Sequence, residues 1–219
     1  WRVRPFARHL VEWLPDYALT EDELEFHHGN AYEKLRQAAV RVYTSEKYKR
    51  RGEAGEISLH AICRDFFETI PISPRVFYKS ASNDVVKAFD MVHAKITADA
   101  VEIWLGESKL YQDASSAVAD AIKSINDHLD AGFLEAQKLL LGPQVPRSTP
   151  GYERVRALFQ SQTSIDELLN SAVFVVGIFC NSDALAAVSE RSQAYVDAAI
   201  AEARDLRLKL EQSGLTQRI

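Results

Sequence analysis

Sulfur is scarce in this chain: its 219 residues include two cysteines, Cys63 and Cys180, and one methionine. Two cysteines in apolar surroundings build no disulfide framework and read as core residues in a reducing compartment, with the cytoplasm as the expected location. No apolar run reaches the ~18 residues of a membrane span, and no signal-peptide pattern is visible. The chain opens on Trp1 rather than Met, so its natural start is expected to lie upstream. A Walker loop, a dinucleotide fingerprint and an internal repeat are all missing. A basic excess is missing too: the formal charge of -5 argues against a whole-protein electrostatic grip on nucleic acid, though not against a local basic patch.

What remains is the composition of a folded domain, 47% hydrophobic and 26% charged. The length suits one substantial domain, or one domain with an appended helical part. We read residues 1–51 as an N-terminal helical segment and residues 52–219 as a core with C-terminal helices, the two forming one continuous domain.

The most informative stretch runs from Phe89 to Tyr111. Two segments rich in β-branched and aromatic residues flank a short break at residues 97–100, the pattern of an antiparallel hairpin. A turn centred between Ala98 and Asp99 pairs Ile96 with Val101, Ala94 with Ile103, Val92 with Leu105 and, last, Asp90 with Glu107. That face is apolar until its open end, where two carboxylates meet. Opposed residues have Cβ atoms roughly 5 Å apart, and like charges there are destabilising, so stability alone does not select this pair. Lys109 projects from the same face about 7 Å further along. Two acids and an ammonium suit a hard cation such as Mg²⁺, which takes one or two carboxylates plus waters and phosphate oxygens. The plainer alternative is a solvated hairpin end, since acid-x-Lys is common. On the other face, His93 is expected to pack against Trp104.

Around the hairpin the pattern is mostly helical. Thr20 and Glu23 form a candidate capping box, and the adjacent His27 and His28 read as structural. Residues 32–48 carry a stripe of Leu35, Ala38, Ala39, Val42 and Tyr43, and Lys34, Arg36, Arg41, Lys47, Lys49, Arg50 and Arg51 make this the most basic segment, read as a solvated face or a phosphate-contact surface. A helix beginning near Glu56 has the stripe Leu59, Ile62, Cys63, Phe66, Phe67 and Ile70, and extending it back by three residues points Glu56 inward. Complementing the helix N-terminus is an equal explanation for Glu56. Pro71 and Pro74 are expected to end that helix, and residues 75–80 to form a first strand. Lys79, Ser82, Asn83 and Lys87 bring donors near the Asp90 end and are candidate phosphate contacts. Residues 114–141 read as one long helix, 142–151 as a loop, 152–159 and 165–170 as shorter helices. Residues 172–180 are a continuous apolar run expected to be a central strand. Residues 189–213 form a last helix that packs on the sheet or meets a partner.

A helix with an inward Glu, a strand, a strand opening on Asp, a strand ending Glu-Ser-Lys and a further helix: this order resembles the PD-(D/E)xK nuclease superfamily. The resemblance implies an α/β restriction-endonuclease-like core, a mixed β-sheet flanked by helices. Its acid, acid-x-Lys and helix-borne Glu fall on Asp90, Glu107, Lys109 and Glu56, although Phe89 stands where the superfamily often has Pro. The strings Gly55-Glu56, Ser82-Asn83-Asp84, Lys87-Ala88-Phe89-Asp90 with His93, and Trp104-Leu105-Gly106-Glu107-Ser108-Lys109-Leu110-Tyr111 narrow it. They resemble the HamA family, nuclease subunits of Hachiman anti-phage defence systems. That resemblance implies a Mg²⁺-dependent deoxyribonuclease, with Mn²⁺ as a substitute. Glu56, Asp90, Glu107 and the Ser108 carbonyl would be its metal ligands. It also implies a heterodimer with a superfamily 2 helicase, HamB, that restrains the nuclease until DNA is engaged. A non-catalytic nuclease-fold subunit that binds DNA or regulates the helicase remains the alternative, with a plain interaction domain third.

Overall fold

A computed structural model describes residues 3–43, 52–73 and 88–213. The strand expected at residues 75–80 and the donors Lys79, Ser82, Asn83 and Lys87 lie outside the described residues.

Helices α1 (Val3–Ala18) and α2 (Ala31–Tyr43) pack together, and α1 packs onto α3 (Glu53–Phe67), around a cluster of Leu14, Tyr17, Leu19, Ala38, Val42 and Ile57. The link between α1 and α2 is pinned at Glu23, which accepts from the Thr20 backbone at 3.0 Å and hydroxyl at 3.1 Å, and pairs with Arg41 at 2.5 Å. Only part of the expected stripe of α3 is buried: Leu59 and Cys63 are covered, while Ile62, Phe66 and Phe67 are exposed. The helix stops at Phe67, with Glu68 in the left-handed conformation.

Strand β1 (Ile70–Ser73) therefore begins where the sequence suggested a helix end, and Pro71 lies within it. A proline fits because β1 is an edge strand of the described sheet and shifts register between Pro71 and Ser73. Strands β2 (Met91–Ile96) and β3 (Val101–Leu110) form the expected hairpin in the expected register, from Ile96 opposite Val101 to Met91 opposite Gly106. Strand β4 (Ala172–Phe179) adds in parallel to β3, so the order among the described strands is β1-β2-β3-β4. Among the described strands β4 therefore stands at the edge rather than at the centre, where it was expected. The apolar run of β4 reflects two covered faces: Val173, Val175 and Phe179 pack with α3, while Ala172 and Phe174 pack into the opposite core. No second strand borders it among the described residues.

The result is a mixed sheet with helices on both faces. On one, Leu59 and Cys63 of α3 meet Met91 and Trp104. On the other, Val92, Ala94, Ile103 and Leu105 meet Leu134, Leu141, Val155, Phe159 and Leu168. These come from α5 (Ala131–Leu141), α6 (Tyr152–Leu158), α7 (Ile165–Asn170) and the turn after α6. Each fully buried aliphatic side chain contributes about 1.5–3 kcal/mol, so this double burial is what fixes the hairpin.

The long helix expected over residues 114–141 is two helices, α4 (Ala114–His128) and α5. Asp130 starts the second by accepting the Phe133 amide at 3.1 Å, an N-cap inside an otherwise uninterrupted pattern. After the short α8 (Asp183–Ala186), α9 (Gln193–Gln212) is capped by Ser192 and rests on α4 and α8 rather than on the sheet, with no residue fully buried. Both cysteines are free thiols; Cys63 is buried, and burial pushes it up to about 11.

Candidate active site

The open end of the hairpin gathers the charged residues. Glu107, in β3, is only 4% exposed. Its Oε1 accepts from Lys109 Nζ at 2.6 Å and from Ser124 Oγ of α4 at 2.8 Å. Its Oε2 is buried and has no hydrogen-bond partner among the described residues, and His128 Nδ1 of α4 stands 3.7 Å away. Asp90 is also buried and lies just before β2; its Oδ2 accepts the Ser108 backbone N–H at 2.8 Å. Ser108 itself lies in β3 opposite Gly177 of β4. Burial opposes the charge of Lys109, but the hydrogen bond to Glu107 and the fields of Glu107 and Asp90 outweigh it and raise its pKa above the ordinary lysine value. The ammonium thus responds to both carboxylates.

Glu56 is buried in the first turn of α3 and accepts the Tyr17 phenol O–H at 2.5 Å. Its neighbour Gly55 explains how that turn reaches the sheet. A Cβ at Gly55 would stand 2.6 Å from Ser108 Oγ and 3.3 Å from Leu110 Cβ, so only a residue without one lets α3 come this close to β3. The structure therefore places Asp90, Glu107, Ser108 and Lys109 together, with the Glu56 turn against the same strand segment.

Three neighbours of these residues had not been singled out in the sequence. Ser124 and His128 are one turn apart on α4, so both face Glu107. His128 is buried, stacked on Phe133 and edge-on to Phe89. A Ser and a His at i, i+4 beside an apolar stripe were the available signal. Tyr17 was hidden among the aromatic residues of α1. His93 departs from expectation. Although it lies opposite Trp104, its ring contacts are with His60: His93 Nε2 is 3.0 Å from His60 Nδ1, and His93 Nδ1 is 2.7 Å from Thr69 Oγ1.

Among the described residues, no three His, Cys, Asp or Glu side chains form a ready-made metal cluster. A hard cation does not need one, since Mg²⁺ commonly takes one or two carboxylates and completes its shell with water and phosphate. Glu107 fits that use: one oxygen is held by two donors, and the other is a buried acceptor with no hydrogen-bond donor among the described residues, faced only at 3.7 Å by His128 Nδ1.

A model of the HamA family matches residues 1–214. The chain belongs to the HamA family. Membership makes it a subunit of a Hachiman defence system and implies a partner within that system. No curated protein and no solved structure matches it significantly. Among the described residues, no helix is long and apolar enough to cross a membrane.

Proposed function

We propose that this HamA-family protein is a PD-(D/E)xK-type deoxyribonuclease. It would be the DNA-degrading effector of its system, cutting with little base preference under the control of a superfamily 2 helicase of the HamB kind. The observation that carries the reading is Glu107. A buried carboxylate with one unmatched oxygen, beside a charged lysine and a second buried carboxylate, is costly for folding and useful for phosphodiester chemistry. Asp90 and Glu107 would hold Mg²⁺ or Mn²⁺, with Glu56 and the Ser108 carbonyl as further ligands. The cation supplies a Lewis acid that lowers the pKa of water and polarises a phosphoryl oxygen.

The chain's own groups supply the rest. The Ser108 amide fixes Asp90, and Ser124 and Lys109 fix Oε1 of Glu107, leaving Oε2 as the oxygen with spare coordination. Lys109 stays protonated and would neutralise charge developing on the phosphate or orient the attacking water. Lys79, Ser82, Asn83 and Lys87 would contact the DNA backbone, which positions the duplex without reading bases.

The test is cleavage of supercoiled and linear DNA with Mg²⁺ or Mn²⁺ by wild type, Glu107→Ala and Lys109→Ala, each with and without the helicase and ATP. Metal-dependent cutting lost in both variants supports the assignment, and cutting only with helicase and ATP adds partner control. No cutting under any condition, with all variants folded, favours a non-catalytic subunit.

A further inference from the structure

The N-terminal helix α1 lies outside the segments that carry the acid and lysine signature, yet it reaches the candidate site. Tyr17, near its C-terminal end, is 4% exposed, and its phenol donates to Oε2 of Glu56 at 2.5 Å. A phenol to a carboxylate is a charge-assisted bond, the stronger class and the more directional. Glu56 has three side-chain torsions to order, and this contact restricts all of them.

A second tie, independent of the phenol, joins the same two helices. Asp16 Oδ1 is 2.6 Å from His60 Nε2, and the same carboxylate takes Arg64 at 3.2 Å through each of its oxygens. His60 follows Glu56 by one turn of α3, so consecutive residues of α1 engage consecutive turns of the same helix. From His60 the contacts continue through His93 to Thr69, anchoring α3 to β2 three residues beyond Asp90. Tyr17, His60, His93 and Asp90 also line one small pocket.

We infer that Tyr17 is a positioning residue for Glu56: α1 lends the site a phenol that holds this carboxylate ready for the cation. The inference rests on the metal reading given above. Hydrogen-bond partners that orient a ligating carboxylate typically change metal affinity about 10–100-fold. A phenol that only glued two helices together would change stability instead.

The experiment is Mn²⁺ titration of the protein, by calorimetry or electron paramagnetic resonance, with melting temperatures measured in parallel. The variants are Asp90→Asn, Tyr17→Phe, Glu56→Gln, the Tyr17→Phe/Glu56→Gln double and Asp16→Asn. Tyr17→Phe is expected to weaken Mn²⁺ binding about tenfold or more. In the Glu56→Gln background it should add little, because the effect passes through Glu56. Asp16→Asn, which loosens the α1–α3 tie but keeps the phenol, should lower the melting temperature and hold Mn²⁺ affinity within about twofold of wild type. Unchanged or tighter Mn²⁺ binding by Tyr17→Phe, at a site that Asp90→Asn abolishes, overturns the role of Tyr17 alone. A wild type that binds no Mn²⁺, or binding that survives Asp90→Asn, overturns the metal reading and this inference with it.

Discussion

Asp90 is tied to Ser108 across the open end of the hairpin, its Oδ2 accepting the Ser108 N–H at 2.8 Å. The carboxylate thus has a structural duty beside its proposed chemical one, and two substitutions separate them. Asp90→Asn keeps an acceptor for the amide, whereas Asp90→Ala leaves a buried N–H unpaired at a cost of about 1–3 kcal/mol. Both should lose DNA cleavage and Mn²⁺ binding. Urea denaturation should place only the alanine variant clearly below wild type.

Glu107 depends on α4. Ser124→Ala removes one of the two donors to Oε1 and should weaken Mn²⁺ binding up to about tenfold, with about 1 kcal/mol of stability lost. His128→Phe keeps an aromatic ring between Phe89 and Phe133 while removing the imidazole beside Oε2. Its melting temperature should stay near wild type and its cleavage rate fall, as metal titration and a plasmid assay on the same preparations can show.

Acid should destabilise the protein earlier than its carboxylates require. Burial lowers the pKa of His60, against the pull of Asp16, and lowers that of His93 well below the ordinary histidine value of 6.5. The unfolded chain therefore binds more protons than the folded one below about pH 6.5, and stability falls as the pH drops through that value. Asp16 has the same sign in a lower window: burial alone would raise it, but His60 and Arg64 hold it below 3.8. Urea midpoints should decline between pH 7 and pH 5, and His93→Gln should flatten the slope.

Gly55→Ala tests how close α3 must come to β3. Alanine gains about 1 kcal/mol of helix propensity, but its methyl would meet Ser108 Oγ at 2.6 Å. Overpacking costs typically about 1–3 kcal/mol, so the net change should be a loss. If the turn moves outward, cleavage falls with it; a stabilised and fully active variant would show that the approach is not tight.

Asp130→Ala supplies the contrast. Losing the N-cap of α5 should cost about 1 kcal/mol in chemical denaturation and leave Mn²⁺ affinity untouched, because no candidate ligand lies on that helix.

The hairpin was legible in the sequence because β pairing has a period of two and a short turn fixes the register, so Asp90, Glu107 and Lys109 came together by counting. Other features were not local enough to read. Pro71 sits in a strand because, among the described strands, that strand is an edge with a bulge, and edge position depends on the rest of the sheet. The apolar run of β4 reported covered faces and was silent about neighbouring strands. Asp130 was invisible as a cap because the apolar spacing continues past it. Tyr17, Ser124 and His128 became site neighbours through helix packing, which brings residues of α1 and α4, about a hundred positions apart, against the same strand segment. The inward direction of Glu56 was legible from periodicity, but its partner was not.

The parallel pairing of β3 with β4 also orders events in time. Ile103 lies opposite Ala172 and Leu110 opposite Phe179, so the strand bearing Glu107 and Lys109 gains its second neighbour only after α4 to α7 have left the ribosome. Pairings this distant form late in folding. A nascent chain that has already displayed every acid and the lysine still lacks the packed sheet that aligns them, so the candidate site is completed only late in synthesis.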